Sequence, residues 1–258
     1  MPFQLESVIP WGRRFDEYKA MFHLTENELH GRVLGCGDGP ASFNAEATAA
    51  GSTVVSIDPI YNFPIEEIRS RIDTVFDGVI KQVSANESDF TWGRGVDDLS
   101  DLADRRRTAM DMFLADFEDG LEANRYRVGE LPTLPFEDDS FDLALCSHFL
   151  FLYGEQLSTQ FHVASLVELC RVATEVRVFP LLENGSAPSR HLSEVRDQLD
   201  RRGIDTKSMT VDYEFQRAGN QMLVAAAGQH KPPTHSGRLT RHPVQKTSRP
   251  DQVGLGRS

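Results

Sequence analysis

The sequence has little of what marks disulfide-rich, metal-binding or membrane proteins. Its three cysteines, Cys36, Cys146 and Cys170, are an odd number without metal-like spacing, so we expect a reducing, cytoplasmic compartment and no metal site. The longest apolar stretch, residues 143–153, is about half of the ~20 residues that a membrane-spanning helix needs. The N-terminal residues also lack the apolar centre of a secretory signal. We therefore expect a protein with no membrane contact.

Basic residues are scarce relative to acidic ones. The chain has 27 lysines and arginines against 39 aspartates and glutamates, which gives a formal net charge of −12. Because an acidic surface repels a phosphate backbone, we do not expect nucleic acid as a partner. The phosphate-binding GxxxxGK[ST] loop and the HExxH and GxSxG motifs are absent, which argues against the nucleotide hydrolases, zinc proteases and serine hydrolases that carry them.

Residues 228–258 differ from the rest of the chain in composition. They carry six basic residues against the one acid Asp251, and they are rich in Pro, Gly, Ser, Thr and Gln with almost no aliphatic side chains. Such a segment cannot bury a core, so we predict a disordered basic tail. A solvated extension and a contact for RNA or an acidic partner both fit this composition. Residues 1–227 are predicted to form one domain.

Within that domain, short β-type apolar runs alternate with helical periods. This alternation is typical of βαβ units and a parallel sheet. The predicted strands are residues 32–34, 53–57, 126–129, 141–146, 173–179, 208–215 and 221–226. Between and after them, helices are predicted at 41–50, 160–172 and 191–202. The fold class is therefore α/β, a Rossmann-like, doubly wound and mostly parallel seven-stranded sheet that ends in an antiparallel hairpin.

A helical insertion is predicted after the second strand, at about residues 62–125. Two amphipathic patterns fill it, the first beginning after Pro64 and the second running from Leu99 to Leu121. Their apolar stripes need a surface to cover. A lid over a pocket, a dimer contact and additional core are the three interpretations that fit.

The strongest local signal is the turn Gly35-Cys36-Gly37-Asp38-Gly39, which follows a strand and precedes a helix. Its glycines permit a tight turn and let backbone amides approach a ligand, and the next helix presents free N–H groups. By itself, this pattern also fits a strand-to-helix turn that binds no ligand.

A carboxylate, Asp58, stands at the end of the second predicted strand. At that edge of the sheet it can accept hydrogen bonds from the hydroxyls of a ribose, or it can cap the turn that begins at Pro59. A nicotinamide-binding domain would share both the glycine-rich turn and this acid.

The segment after the third strand separates these possibilities. Residues 134–148, LPFEDDSFDLALCSH, resemble the loop after strand three and the fourth strand of class I S-adenosylmethionine-dependent methyltransferases of the "methyltransferase domain 11" type. The turn GCGDG resembles the glycine motif of that family, and residues 168–172 are similar to its passage into the fifth strand. The resemblance covers about residues 30–227, with the insertion outside it.

The resemblance implies a cofactor, S-adenosyl-L-methionine, and a set of site residues. Its glycine-motif residues would line the methionine and ribose, Asp58 would hold the ribose hydroxyls, and the two residues after the third strand would flank the adenine. Ser147 and His148 stand where the methyl group and the substrate meet. The cofactor-binding residues implied are Gly35, Cys36, Gly37, Asp38, Gly39, Asp58, Glu130, Leu131 and Ser147.

The sequence departs from the family at one position. Most members carry an acid two residues before the first motif glycine, where this chain has Val33, and Asp38 is a candidate substitute for it. Methyl transfer needs alignment, exclusion of water and a proton acceptor, for which His148 is the candidate catalytic residue. His148 could equally be a packing residue beside Phe149.

The predicted function is methyl transfer from S-adenosylmethionine to a small or medium-sized acceptor. The sequence determines neither the identity of this acceptor nor the oligomeric state. An inactive module that binds S-adenosylmethionine or S-adenosylhomocysteine, or a scaffold with the same fold, is the alternative, because the acid before the glycine motif is missing. A nicotinamide-dependent oxidoreductase is the third hypothesis, against which residues 129–148 argue.

Overall fold

Seven strands form a single sheet in residues 9–228, the part of the chain that the structure, a computed structural model, describes. The strands are, in chain order, β1 (Arg32–Cys36), β2 (Thr53–Ile57), β3 (Tyr126–Arg127), β4 (Phe141–Ser147), β5 (Ala173–Phe179), β6 (Ile204–Thr210) and β7 (Gln221–Ala227). Across the sheet their order is β3-β2-β1-β4-β5-β7-β6. Strands β1 to β5 pair in parallel, and β7 runs antiparallel to β5 and β6. The predicted fold class is confirmed.

Helices cover both faces of this sheet. They are α1 (Phe15–Phe22), α2 (Glu26–Leu29), α3 (Phe43–Ala49), α4 (Ile65–Ala85), α5 (Leu99–Glu122), α6 (Thr159–Val172) and α7 (Leu192–Asp200). Leu166 of α6 and Leu199 of α7 are buried with Val176 on one face. Phe22 of α1 and Phe43 of α3 are buried on the other face. Both faces of the parallel strands are thus covered, as their continuous apolar runs require.

The hairpin lies earlier in the chain than the sequence predicts. The sixth strand spans Ile204–Thr210 instead of 208–215. Residues 211–220 are a connection, although Val211, Tyr213 and Phe215 are buried in alternation like strand residues. Their burial comes from packing at the edge of the sheet, and an alternating pattern does not distinguish this from strand pairing.

The insertion consists of α4 and α5, which have a core of their own. Ile68 and Ile72 of α4 are buried against Met110, Phe113 and Phe117 of α5. Farther along α4, two further valines pack with the core of the main sheet. The insertion therefore supplies additional core, one of the three roles that the sequence allows.

A buried ion pair joins the insertion to α1. Arg106 of α5 donates two hydrogen bonds to the carboxylate of Glu17, at 2.6 and 2.8 Å, and both side chains are buried. Tyr213 donates to the same carboxylate at 2.9 Å. Burial alone would raise the pKa of Glu17, but the charge of Arg106 and its hydrogen bonds hold that pKa at about 2. This pair fixes α1, α5 and the β6–β7 connection to one another.

The segment before α1 lies directly on the glycine-rich turn. A Cβ atom at Gly12 would lie 2.0 Å from the carbonyl oxygen of Pro40. The backbone N–H of Ser42 donates to the carbonyl of Arg13 at 3.1 Å. Only glycine allows this approach, which brings residues 9–14 over the carboxyl edge of the sheet. The predicted tail lies, apart from Gly228, outside the described residues.

Candidate functional site

A cavity of about 810 Å³ lies at the carboxyl edge of the sheet. This volume falls in the range of ~300–1,000 Å³ that is typical of small-molecule sites. The ends of β1, β2 and β4 line it, together with the residues that follow β3 and β5 and those that precede β7. The predicted residues that line it are Cys36, Gly37, Asp38, Gly39, Asp58, Glu130, Leu131, Ser147 and His148. One cavity thus gathers residues that are distant in the sequence.

Gly35 is a predicted site residue that does not line the cavity. A Cβ atom at this position would lie 1.8 Å from Oδ2 of Asp38, so the glycine makes room for that carboxylate. Gly37 and Gly39 have φ angles of 70° and 54°, which side chains disfavour. Gly35 therefore leaves room for the side chain of Asp38, whereas Gly37 and Gly39 provide the left-handed backbone of the turn.

Asp38 folds back from the turn into the protein. Its carboxylate accepts hydrogen bonds from the hydroxyls of Tyr18 at 2.8 Å and Ser56 at 2.6 Å. Burial raises the pKa of Asp38 to about 7, and the nearby Asp58 adds to this rise while the two hydroxyls oppose it. Val33, where the resembling family has its acid, is fully buried among apolar side chains. Asp38 is thus the carboxylate that lies against Gly35.

Asp58 connects the turn to the end of β2. Its Oδ2 accepts from the N–H of Gly39 at 2.9 Å, and its Oδ1 accepts from the N–H of Ile60 at 2.8 Å. Burial raises the pKa of Asp58 to about 6, although these two N–H groups oppose the rise. The residue therefore caps the single 3₁₀ turn Pro59–Asn62 and also lines the cavity, so the two interpretations of the sequence are compatible.

His148 follows β4 in a left-handed conformation, with φ of 50°. Its N–H donates to the carbonyl of Phe179 at 2.6 Å, and its Nδ1 lies 2.9 Å from Oγ of Ser147. Burial lowers the pKa of His148 well below 6.5, and the charges of Arg13 and Arg106 lower it further. The imidazole that lines the cavity is therefore neutral at neutral pH.

Several polar side chains of the cavity are not among the predicted site residues. Three of them have a buried atom without a partner: Arg13, Asn184 and Gln216. Nε of Arg13, Oδ1 of Asn184 and Oε1 of Gln216 are buried without a hydrogen-bond partner. A buried polar atom without a partner is uncommon and indicates a missing water or ligand. Their positions depend on loop packing, so the sequence gives no motif for them.

Within residues 9–228, no group of histidine, cysteine, aspartate and glutamate side chains could hold a metal ion. In the same range no helix is long and apolar enough to cross a membrane.

Comparisons with known proteins bear on the family and the fold. No model of a known protein family matches the chain. The uncharacterized protein MJ0045 of Methanocaldococcus jannaschii is 32% identical over 223 residues, which are 85% of this chain and 96% of that protein.

Solved structures of methyltransferases are similar at low identity. Magnesium protoporphyrin IX methyltransferase from Synechocystis PCC 6803, crystallized with bound SAH, is 12% identical with a TM-score of 0.46, over 83% of this chain and 82% of that one. A SAM-dependent methyltransferase from Methanosarcina mazei is 13% identical with a TM-score of 0.41, over 80% of this chain and 98% of that one. The sheet of the present chain, parallel from β1 to β5 with β7 antiparallel beside β5 and helices on both faces, is Rossmann-like in its own right. The chain belongs to the family of the uncharacterized protein MJ0045.

Proposed function

We propose that this protein binds S-adenosylmethionine and transfers its methyl group to a small or medium-sized acceptor in the same cavity. The observation that carries the proposal is the convergence of four segments on one cavity: the glycine-rich turn, Asp58, the residues after β3, and Ser147 with His148. Ligands of open α/β sheets bind at this edge, where the strand order reverses between β1 and β4.

The polar groups of the cavity fit the cofactor in charge and position. Asp58 lines the cavity at the end of β2, where it would receive the ribose hydroxyls, with Glu130 and Leu131 beside the adenine. Cys36, Gly37 and Gly39 would line the methionine chain, and Asp38 would attract its ammonium group. The unpartnered Nε of Arg13 lies in a guanidinium that can donate to the methionine carboxylate.

When bound, S-adenosylmethionine supplies an electrophilic methyl group: the acceptor's lone pair binds the methyl carbon, and the electrons of the broken carbon–sulfur bond stay on sulfur. The protein aligns the two molecules, excludes water and receives the proton that the acceptor loses. Neutral His148 accepts this proton at Nε2 when its Nδ1–H donates to Oγ of Ser147.

Isothermal titration calorimetry with S-adenosylmethionine, S-adenosylhomocysteine and NADH tests the proposal. We expect micromolar binding of the first two ligands and none of NADH. Asp58→Asn keeps an oxygen for one backbone N–H but removes the charge, and it should weaken binding about tenfold, the value of a charge-assisted hydrogen bond. Glu66→Gln, an exposed change on α4, is the matched control.

The outcomes separate the three hypotheses. Binding of S-adenosylhomocysteine followed by product formation from S-adenosylmethionine in an acceptor screen supports the methyltransferase. Binding without turnover across the screen favours the inactive cofactor-binding module. Binding of NADH alone would revive the nicotinamide-dependent oxidoreductase and overturn the proposal.

A further inference from the structure

The far end of the cavity is built from three segments that the cofactor proposal does not use. They are the connection between α4 and α5 near Phe90, the connection after β5 near Asn184, and the β6–β7 connection near Gln216. The carbonyl oxygen of Asp89 joins them, since it accepts from the N–H of Arg217 at 2.9 Å and from the hydroxyl of Ser186 at 3.4 Å. We call this region the amide end of the cavity.

The amide end is separate from the residues assigned to the cofactor. In the sheet, β2 and β5 are separated by β1 and β4. At ~4.8 Å between neighbouring strands, the end of β5 is therefore ~14 Å from the end of β2, where Asp58 lies. β7 is antiparallel, so its first residues lie at this same edge, and the preceding Gln216 extends the cavity one strand farther. A second molecule has room here beside the cofactor.

The amide end presents two side-chain amides that have no partner. Gln216 is 9% exposed, and neither its amide nor that of Asn184 makes a hydrogen bond within residues 9–228. Leaving such a buried group unpaired costs ~1–3 kcal/mol, which a ligand with a matching group recovers. A primary amide both donates and accepts, so its match is a neutral hydroxyl or amide group.

The remaining lining of the amide end is apolar and uncharged. Val79 and Val83 of α4 contribute aliphatic surface. Phe90 and Phe215 stack with ring centroids 4.7 Å apart.

The carboxylates of the cavity, by contrast, lie at the ends of β1 and β2 and after β3. The cations of the cavity are Arg13 and Arg71, and Arg13 is assigned above to the methionine carboxylate. A charged ligand group would therefore lose its hydration here without an unassigned counter-charge beside the two amides.

We propose that the amide end is the acceptor subsite. It binds a neutral, largely apolar molecule that contains an aromatic ring or a ring of similar size. This molecule carries a hydroxyl or amide group that forms hydrogen bonds with Asn184 and Gln216. The statement that the bound molecule is the methyl acceptor rests on the proposed function. The statement that a neutral molecule binds here rests only on the two amides and the apolar walls. His148 follows β4, the strand that lies between β5 of this subsite and β1 of the glycine-rich turn.

A set of matched probes tests the subsite. 2-Naphthol, 2-methoxynaphthalene, 2-naphthoate and 2-naphthylmethylamine share one ring system and differ in their polar group. Each is titrated calorimetrically into the protein with and without saturating S-adenosylhomocysteine. We expect 2-naphthol to bind about three- to tenfold tighter than 2-methoxynaphthalene, which is the value of one neutral hydrogen bond, and the two charged probes to bind more weakly.

Two variants assign the preference to the amides. Gln216→Met and Asn184→Leu keep most of the side-chain volume and remove no hydrogen bond of the protein. Each should reduce the preference for 2-naphthol over 2-methoxynaphthalene, while the affinity for the latter changes less than twofold. Gln82→Met, on the exposed side of α4, is the control and should keep the full preference.

Each remaining outcome decides against the subsite. Equal binding of naphthol and its methyl ether, a preference that survives both variants, or no binding of any neutral probe overturns it. Tightest binding of 2-naphthoate would instead indicate that Arg13 anchors an anionic acceptor. Because the probes are also titrated without S-adenosylhomocysteine, failure of the cofactor to bind would overturn the proposed function while leaving the subsite measurement intact.

Discussion

At the scale of single residues, the site depends on how one carboxylate is accommodated. Asp38 turns back against Gly35 and is bound by Tyr18 and Ser56. The glycine-rich turn thus does two things: it offers backbone N–H groups and it makes room for an acid. This arrangement places a carboxylate beside β1 although Val33 occupies the position where the resembling family has its own acid.

The close contact at Gly35 gives a first prediction. In Gly35→Ala the new Cβ would lie 1.8 Å from Oδ2 of Asp38, so the carboxylate must move. We expect a loss of ~1–3 kcal/mol in the free energy of unfolding, as for other overpacked sites, and at least tenfold weaker binding of S-adenosylhomocysteine. Urea denaturation and calorimetry measure the two effects.

Gly51→Ala is the control for this variant. Gly51 has a φ of 95°, and its Cβ would meet nothing within 4 Å. Strain alone should cost ~1–2 kcal/mol there, without any effect on ligand affinity. If both variants bound S-adenosylhomocysteine equally well, the contact between Gly35 and Asp38 would have no part in the site.

The raised pKa of Asp38 gives a second prediction. With a pKa of about 7, the carboxylate is mostly protonated at pH 6 and mostly ionised at pH 8. If the ionised form binds the ammonium group, the affinity for S-adenosylhomocysteine should rise about tenfold across this interval, because only the ionised fraction is competent. Calorimetry at both pH values measures this.

Two comparisons identify the group that causes the pH dependence of S-adenosylhomocysteine binding. 5′-Methylthioadenosine lacks the ammonium and carboxylate groups, so its affinity should change little over the same pH interval. Asp38→Asn should bind S-adenosylhomocysteine weakly and with a flat pH profile. An unchanged tenfold rise in that variant would assign the effect to another group, with Asp58, whose pKa is about 6, as the first to examine.

The sequence predicted those residues of the cavity that belong to a recognisable motif or stand at the end of a predicted strand. Cys36 to Gly39 form one short motif, and Asp58 stands at the end of the next strand, so strand periodicity is enough to place them together. Arg13, Asn184 and Gln216 reach the cavity only because distant loops pack against one another. No local pattern of residues records that packing.

At the scale of elements, the insertion is held in place by polar as well as apolar contacts. Its amphipathic pattern predicted two helices, and both are present. Arg106, however, lies on the buried side of α5, where a charged residue is not expected from periodicity. Its partner Glu17 is far away in the sequence, so only the three-dimensional structure explains the position.

This buried pair gives a third prediction. Arg106→Met leaves Glu17 buried without its counter-charge, which should lower the free energy of unfolding by ~3–5 kcal/mol. The double variant Glu17→Leu with Arg106→Met removes both charges and should recover part of that loss. Urea denaturation of the two variants gives the comparison. A double variant that is less stable than Arg106→Met would mean that the pair contributes more than charge compensation.

At the scale of the whole molecule, buried titratable groups oppose one another in their effect on stability. Asp38 and Asp58 have raised pKa values, so the folded protein binds protons that the unfolded chain releases above about pH 4. Burial lowers the pKa values of His148 and His162, so below about pH 6.5 the unfolded chain binds protons that the folded protein does not. The two acids therefore favour folding as the pH falls, and the two histidines disfavour it.

The balance of these groups gives the last prediction. Between about pH 5 and 6 the folded protein holds extra protons on Asp38 and Asp58, whereas the unfolded chain holds extra protons on His148 and His162, so the two effects on the free energy of unfolding oppose each other. Asp38→Asn removes the proton that the folded protein binds at residue 38. Relative to the unchanged protein, its free energy of unfolding should fall by ~1.4 kcal/mol for each pH unit in this interval as the pH is lowered. Urea denaturation of both proteins at several pH values measures these slopes, with Asp142→Asn, a change at an exposed ion pair, as the control. Parallel profiles for the variant and the unchanged protein would mean that Asp38 is ionised throughout, and the assigned role of its protonation in cofactor binding would fail with it.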